Sequence, residues 1–569
     1  MPSLFHLSFR AALILACGLP CLPLIASDAP KNEGEKSKVP DTELLWQEYE
    51  RNPDAHPNLP NCSYAGYHYG EKPIPHLKGP VFDVTQYGAK GDGVEDDSAA
   101  IRAAITAVGE KGGVVYFPNG TYNVSRALFV HTNGTVLRGE SRDGTEIRFT
   151  RPLDTALGTA FYPANIPAKR ATKWNYSGGL IWFGPKDCMT YPAEEQVGSP
   201  IKPKMGWVAI KSFAKITAPA RRGQRTVSIE SPLNVKPGDF VLLRQSNPPD
   251  YSLLKHLSGG GEWADQFPWK DGPVGAGWPD YTLSSTLQWM VEVVEATENS
   301  LTFYQPLRFD LRPEWNPRLI VVGSLVRESG IENMTLRFMR DFTWKKSENH
   351  HLDRGWNAPF FNNAVHCWLR DVTMVDMENG PGIASSKCIT LTGFTLKASS
   401  PERMQHHHGT TTRSSSFDNL ISDFRIESMP LHGLNVEGMS SGNVWSRGVL
   451  THGIFDSHRM MPFENIRTEI ILVNNDGFHG GARGPLMGAR FAHWNVKVES
   501  GRSYIVDWAN SLPTGALVGL QGIAPSWAGQ PESTPQGEVS KCRVESSGKA
   551  PNPANLYEAE LALRLKSRK

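Results

Sequence analysis

The chain has 569 residues, of which 59 are Lys or Arg and 58 are Asp or Glu. A formal net charge of +1 gives no reason to expect nucleic acid or an anionic membrane as a partner. The body of the chain lacks an apolar run of about 18 residues, which argues against a transmembrane segment. Its 16 Trp, 53 Gly and 42 Pro indicate a loop-rich β protein.

The first residues have the pattern of an export signal. Arg10 precedes an apolar stretch over residues 11–19, and the small residues Ala26 and Ser27 suit a cleavage site. Residues 1–26 are therefore predicted to be a signal peptide, and the mature protein is predicted to be secreted or periplasmic. An imperfect lipid-attachment pattern that ends at Cys17 gives the alternative, a lipid-anchored protein.

Residues 27–80 are polar and interrupted by proline. They are predicted to form a lead-in segment that crosses the main domain. Its expected anchors are the aromatic residues Trp46, Tyr49, Tyr64, Tyr67 and Tyr69.

Residues 81–150 begin with a strand and the turn-rich sequence Tyr-Gly-Ala-Lys-Gly-Asp-Gly-Val-Glu-Asp-Asp over 87–97. An amphipathic helix is predicted after Asp97, ending at Gly112-Gly113, and Val-Val-Tyr-Phe-Pro-Asn-Gly-Thr-Tyr follows. This ordered set resembles the opening of the pectate lyase superfamily of right-handed parallel β-helix proteins. The resemblance implies a solenoid whose N-terminal end is covered by the helix, so Asp92 and Asp96 are expected to stabilise turns and not to bind metal.

Residues 151–325 interrupt the solenoid pattern. Short apolar runs near 227–229, 237–243 and 301–304 predict antiparallel strands of an inserted β subdomain. A tryptophan-bearing loop over 258–281 is predicted to lean over a groove, where Trp269 would stack on a sugar face. The equally supported alternative places these tryptophans in the insert's own core.

A His-Gly dipeptide occurs four times in residues 326–510, with intervals of 24, 20 and 27 residues. A second marker, Asn followed by an aliphatic residue, occurs at positions 419, 443 and 465, once after each of the first three dipeptides. Repeats of roughly 20–50 residues indicate a solenoid, and the lack of helical spacing favours a parallel β-helix. Parallel strands are predicted near 389–396, 419–427, 443–450, 465–473 and 487–498. Equivalent residues would stack about 4.8 Å apart, so the four histidines are predicted to form one column, while the asparagines are expected to be structural.

Alignment of the coils on the dipeptide places segments 410–413, 434–437 and 454–459 side by side. If Leu434 and Val436 face the core, strand alternation turns Asn435 and Glu437 outward, near Arg413 of the preceding coil. The sequence therefore predicts a face that carries imidazole, guanidinium, amide and carboxylate groups.

These groups suit β-elimination on a uronate-containing polysaccharide. The reaction requires neutralisation of the C5 carboxylate, which a guanidinium can provide, a base for the C5 proton, which a histidine can provide near neutral pH, and an acid for the leaving oxygen. The candidate catalytic residues are His408, Arg413, His432, His452 and His458. The candidate substrate-binding residues are Asn435, Glu437, Asp456, Arg459, His479, Arg483 and Trp269.

Two other function classes stay open. A glycoside hydrolase needs two carboxyl groups within about 5–9.5 Å of each other, and Glu437, Asp456 and Asp476 could supply them. A non-catalytic glycan-binding solenoid would bind without turnover. The sequence does not fix the polysaccharide or the oligomeric state. It also leaves a divalent-cation requirement open: no carboxylate-rich loop resembles a calcium site, whereas His452, Asp456 and His458 could bind a transition metal only if the local strand bends. Residues 511–569 are predicted to be a C-terminal tail or cap, with a short helix or cap over residues 540–569.

Overall fold

Two long sheets with parallel strand pairings build a parallel β-helix between Val81 and Glu545. The computed structural model describes residues 42–158, 172–175, 177–190, 202–203, 208–267, 269, 286–453, 455–457, 460–475, 488–501, 504–505, 512–526 and 541–568. The predicted signal peptide and Cys17 lie outside these residues. No helix in the described part of the chain is long and apolar enough to cross a membrane.

The longer sheet contains sixteen described strands, and the bonded pairs along it are parallel. Its strands are Val81–Asp83, Asp92–Asp96, Gly113–Phe117, Gly120–Val124, Thr135–Gly139, Thr145–Phe149, Gly330–Phe338, Trp368–Val375, Thr390–Thr392, Thr395–Lys397, Leu420–Ile426, Val444–Leu450, Ile466–Leu472, Ala492–Val498, Ala516–Val518 and Arg543–Glu545. The stacking of neighbouring coils predicted from the repeat is thereby confirmed.

The shorter sheet also pairs in parallel throughout its described strands. These strands are Leu128–Val130, Ile181–Phe183, Phe360–Asn362, Gly382–Ala384, Gln405–Arg413, Met429–Val436 and Phe455–Ser457. Apolar side chains of both sheets meet in one buried core, to which Leu434 and Val436 contribute as predicted.

Left-handed residues shape each coil of the longer sheet. One position in register has a positive φ in coil after coil, at Asn333, Asp371, Asp423, Arg447, Glu469 and Asn495. A second left-handed position lies at the corner before the strands and includes Cys388, Asp418, Gly442, Glu464 and Arg490. Because such residues bend the backbone, their recurrence repeats the same corner along the solenoid.

The predicted structural asparagines form a buried ladder directly after this corner. The amide of Asn419 donates to Oδ1 of Asn443 at 2.8 Å, and the amide of Asn443 donates to Oδ1 of Asn465 at 2.9 Å. All three side chains are fully buried. Since each amide oxygen also accepts a backbone N–H, the ladder satisfies polar groups that the corner would leave unpaired.

The insert is a six-stranded antiparallel sheet within residues 209–322. Its strands are Ala209–Lys215, Thr226–Ser228, Phe240–Ser246, Thr286–Ala296, Ser300–Phe303 and Arg318–Val322, with the helices Ser252–Leu257 and Gly261–Gln266 in the same region. The insert is shorter than the predicted 151–325, because Ile181–Phe183 pairs with strands of the shorter sheet.

Buried charges join the insert to the corners of the β-helix. Arg308 of the insert forms ion pairs with Asp418 and Glu464. Glu464 also contacts Arg222 at 3.0 Å and Arg490 at 2.6 Å. These guanidinium groups hold the pKa of Glu464 at about 2, against the raising effect of burial.

The helix Ser98–Val108 covers the N-terminal end and buries Ile101, Ala104, Ile105 and Val108. The α-helix ends at Gly109, and a 3-10 turn over Gly109–Lys111 continues to Gly112, where the helical stretch was predicted to end. The side chain of Asp97 does not cap the helix; it accepts the backbone N–H groups of Lys90 and Gly91 in the preceding turn. Asp92 and Asp96 likewise bind backbone N–H groups.

Both terminal segments pack on the longer sheet. The lead-in segment begins with the helix Leu44–Arg51, and its five predicted aromatic anchors are buried. The helix Leu556–Ser567 confirms the predicted C-terminal helix, but it lies beside the strands instead of capping the end, since its Leu556 N–H donates to Thr468. Two further short α-helices among the described residues are Leu153–Ala156 and Lys346–Asn349.

Candidate functional site

Polar residues of the shorter sheet and the segments leading into it lie in register as one column. Asn357 pairs with Asn379, Asn379 with His408, and His408 with His432. The alignment of the first two His-Gly dipeptides is thereby confirmed. A column of this kind places four polar side chains about 4.8 Å apart along the solenoid.

Hydrogen bonds connect the side chains of this column. The amide of Asn379 donates to Oδ1 of Asn357 at 2.7 Å, and Oδ1 of Asn379 lies 2.6 Å from Nδ1 of His408. The rings of His408 and His432 stack with centroids 4.8 Å apart. Because an amide oxygen only accepts, the contact with Asn379 places the proton of His408 on Nδ1 and the lone pair on Nε2.

A second column runs beside the first, through Phe360, Gly382, Thr411, Asn435 and Asp456. Glycine is required at position 382, because a Cβ there would lie 2.6 Å from the Phe360 ring. Oγ1 of Thr411 and both amide atoms of Asn435 are buried without a hydrogen-bond partner among the described residues. Groups of this kind suit a ligand or water, since a buried polar atom left unpaired is costly.

The two columns border a small cleft. Its lining includes Asn357, Asn379, His408, Thr411, Arg413 and Phe360. Arg413 forms an ion pair with Glu437, so the predicted proximity of these two residues is confirmed. However, the predicted solvated face is wrong for this set, because Arg413, Asn435 and Glu437 are at most 5% exposed.

The third coil is offset by one residue from the predicted alignment. Phe455 pairs with Leu434, and Asp456 pairs with Asn435. Alignment on the dipeptide would instead have paired Phe455 with Asn435. The burial of Phe455 in the core fixes the observed register, because a shift of one residue exchanges the two faces of a strand.

His452 consequently leaves the predicted column. It lies before the strand Phe455–Ser457, is half-buried, and has Nδ1 3.5 Å from the amide of Asn474. The side chain of Asp456 takes a place beside His432, with Oδ2 2.7 Å from Nδ1 of that histidine. The third coil thus contributes a carboxylate where the sequence predicted an imidazole.

The other candidates separate into two groups. Trp269 packs with Tyr251, Trp263 and Phe267 inside the insert, and its indole N–H donates to the Ala264 carbonyl at 2.7 Å. This supports the alternative in which Trp269 belongs to the insert's core. His458, Arg459, His479 and Arg483 lie outside the described residues, as does most of the predicted 258–281 loop beyond position 267.

A crossing segment over residues 339–359, which was not predicted from the sequence, runs from the longer sheet to the shorter one. It brings Asp353 to His407, with Oδ2 2.6 Å from Nδ1. Trp344 donates to the other oxygen of Asp353 at 3.0 Å, and its ring stacks on His407 with centroids 5.5 Å apart. His350 also lies in this segment, 5.1 Å from the ring of His407 and 6.0 Å from that of His432.

Burial dominates the electrostatics around this segment. It lowers the pKa of His350 to about 2, with further lowering from His407. It raises the pKa values of the carboxyl groups of Asp353 and Glu378, and Asp353 adds to the effect on Glu378. Glu378 accepts backbone N–H groups of Arg354, Gly355 and Trp356, which holds the crossing segment in place.

The histidines of this region offer nitrogen ligands from separate parts of the chain. His350, His407 and His432 each have a ring nitrogen within 4.8 Å of the others. This group is not the set of metal ligands considered from the sequence, which was His452, Asp456 and His458. Asp456 contacts His432, and His458 lies outside the described residues.

Residues 81–170 match the family model described as rhamnogalacturonase A/epimerase, pectate lyase-like. This match confirms the resemblance to the pectate lyase superfamily in the N-terminal coils. The chain is 47% identical over 112 residues to plasmin and fibronectin-binding protein A of Streptococcus pneumoniae, covering 18% of this chain and 15% of that protein. It is 53% identical over 92 residues to alginate lyase 7 of Azotobacter vinelandii, covering 15% and 11%.

Among solved structures, the chain is similar to a hyperthermoactive exopolygalacturonase from Thermotoga maritima. The superposition covers 84% of this chain and 92% of that one, with 8% sequence identity and a TM-score of 0.37. The curated relatives, in contrast, are matched over small parts of their lengths, 15% and 11% for the two named above.

Proposed function

We propose that the protein is an exported polysaccharide lyase that cleaves a uronate-containing chain by β-elimination in the cleft beside His408. The observation that carries this proposal is the hydrogen-bonded column Asn357–Asn379–His408, which borders the same cleft as Arg413. The matching family is described by a rhamnogalacturonase and an epimerase, and one relative is an alginate lyase. These names favour a polysaccharide as the substrate.

His408 is the proposed base. Its contact with Asn379 favours a lone pair on Nε2, which would take the C5 proton of the sugar. The electron pair of the C5–H bond forms a C4–C5 double bond, the C4–O bond breaks, and the leaving oxygen takes a proton from solvent water. A neutral amide behind His408 orients the ring without adding the charge that a carboxylate would add.

Arg413 is the proposed contact for the uronate carboxylate. Its guanidinium forms an ion pair with Glu437, which fixes its orientation at the border of the cleft. Replacing Arg413 by Lys should lower turnover, because an ammonium keeps the charge but loses the planar two-pronged grip. Thr411 and Asn435 add unpartnered polar atoms beside it that suit sugar hydroxyls.

The proposal is tested by incubating the full chain with a panel of soluble uronate-containing and neutral polysaccharides. Ultraviolet absorbance follows the new C4–C5 double bond, and a parallel assay counts reducing ends. A lyase gives both signals on at least one uronate polymer. Reducing ends without absorbance would replace the lyase by a hydrolase, and binding without either signal would indicate a glycan-binding solenoid.

A further inference from the structure

We propose that His350, His407 and His432 together bind one divalent transition-metal ion, with Zn²⁺ as the best-fitting ion, beside the cleft. The three residues come from the crossing segment and from two neighbouring strands of the shorter sheet. The proposal goes beyond the proposed lyase reaction and does not depend on it.

Convergence of the three rings is the first observation. Their ligand nitrogens lie within 4.8 Å of one another. Nitrogens that bind zinc at about 2.0–2.1 Å in a tetrahedral site are roughly 3.4 Å apart, so a modest closure completes the site. His350 can provide that movement, since it is half-buried and directly follows the short helix Lys346–Asn349.

The groups behind the histidines are the second observation. Nδ1 of His407 contacts Asp353 at 2.6 Å, and Nδ1 of His432 contacts Asp456 at 2.7 Å. Metal-binding histidines commonly use one ring nitrogen in this way, because the carboxylate fixes the tautomer and leaves the other nitrogen for the ion. Both carboxyl groups are fully buried, so each keeps its histidine ring in one orientation.

His408 provides an internal contrast. Its ring is 4.0 Å from that of His407 and 4.8 Å from that of His432, yet its Nδ1 contacts the amide of Asn379 and not a carboxylate. The carboxylate-backed histidines are therefore assigned to the metal, and the amide-backed one to the cleft. This assignment moves His432 from the predicted proton-transfer role to a ligand role.

Ligand chemistry selects the class of ion. Imidazole suits Zn²⁺, Cu²⁺, Ni²⁺ and Fe²⁺, whereas Ca²⁺ and Mg²⁺ prefer oxygen ligands. Three protein ligands leave a coordination position for water or substrate, as in catalytic zinc sites. An ion held by His407 and His432 would lie next to His408, which lines the cleft.

The test uses the full chain, stripped with a strong chelator and then dialysed against zinc sulfate, with bound zinc counted by mass spectrometry. We expect one zinc per chain in the wild type. His407→Asn and His432→Asn should lose it, because the Asn amide can replace Nδ1 as the donor to the carboxylate but offers no counterpart of Nε2. His408→Asn, the same change on the adjacent ring, and exposed His76→Ala should each keep one zinc.

His350→Ala is included because it is expected to fold: this half-buried side chain contributes little to the core. Its zinc affinity should fall at least about tenfold, and that of Asp456→Asn by roughly 10–100-fold, the usual effect of removing a group behind a ligand. A wild-type protein without stoichiometric zinc would overturn the proposal. So would full zinc binding by the folded His407→Asn, His432→Asn and His350→Ala variants.

The proposed zinc site and the proposed lyase reaction can be rejected independently of each other. Stoichiometric zinc in a protein that forms no unsaturated product rejects the reaction and keeps the site. Full turnover by a protein that does not bind zinc rejects the site and keeps the reaction.

Discussion

The asparagine ladder of the longer sheet and the polar column of the shorter sheet have the same geometric origin. Both arise because parallel coils stack equivalent residues in register. In the ladder, Asn419, Asn443 and Asn465 bond to one another and to backbone groups. In the column, Asn379 bonds to His408 at the border of a cleft, and Thr411 and Asn435 beside it have polar atoms without partners among the described residues.

The difference shows that register alone does not make a functional site. A polar column is structural when its hydrogen bonds end on the backbone of the same coils. It becomes a candidate site when those bonds orient ring nitrogens and leave buried polar atoms for a ligand.

The largest effect on stability is expected at Glu464, which directly precedes Asn465 of the ladder. Glu464→Gln removes the negative charge that balances Arg222, Arg308 and Arg490, and should cost about 3–5 kcal/mol of unfolding free energy. Urea unfolding measures this cost. Glu499→Gln is the control, since its exposed pair with Lys497 should contribute less than about 1 kcal/mol. Equal costs for both variants would contradict the role of the buried network.

The same residue predicts a pH dependence. The pKa of Glu464 is lowered to about 2 in the folded protein, against about 4.3 in an unfolded chain. A lowered pKa contributes stability above the unfolded value, and this stability is lost as the pH falls from about 4 towards 2. Unfolding free energies measured across this range should fall less steeply for Glu464→Gln than for the wild type. Identical slopes would contradict the lowered pKa.

Asn443→Ala should have the next largest effect on stability. It removes the middle of the ladder and leaves groups of Asn419 and Asn465 unpaired, at a cost of about 1–3 kcal/mol. Turnover per folded molecule should not change, because the ladder does not reach the cleft lining described here. A melting temperature equal to that of the wild type would show that the ladder does not stabilise the corner.

The repeat made much of the fold predictable, because markers at fixed places in each coil reveal register directly. It placed Asn419, Asn443 and Asn465 as structural residues and His408 beside His432. It failed at the third coil, where the burial of Phe455, and not the dipeptide, decides which residues pair. A motif can drift by one residue when an apolar side chain keeps its place in the core.

The sequence could not reveal the crossing segment. Asp353 and His407 are 54 positions apart, and no repeat links them. A His-His pair followed by an acidic residue at 350–353 is the one local signal that could have drawn attention to this segment. The role of Trp269 could not be predicted from the sequence either. An aromatic side chain in a loop can stack on a sugar or pack in the local core, and only the tertiary structure distinguishes the two.

The smallest effect on stability is expected at Thr411. Thr411→Val exchanges a buried hydroxyl without a partner for a methyl group of similar size, so unfolding free energy should change by less than about 1 kcal/mol. If Thr411 contacts a sugar hydroxyl, KM for the polysaccharide should rise while kcat stays nearly constant. An unchanged KM would remove Thr411 from the binding surface.

We propose that the column of the shorter sheet is a site and that the ladder of the longer sheet is a scaffold. The most direct measurement compares His408→Asn with Asn443→Ala, recording thermal unfolding and the initial rate of unsaturated-product formation on the same samples. His408→Asn retains a donor for Asn379, so it should keep its melting temperature while turnover falls by roughly 10²–10⁴. Asn443→Ala should melt earlier with unchanged turnover of the folded fraction. If His408→Asn instead melts early and keeps its specific activity while folded, His408 is structural and the account is contradicted.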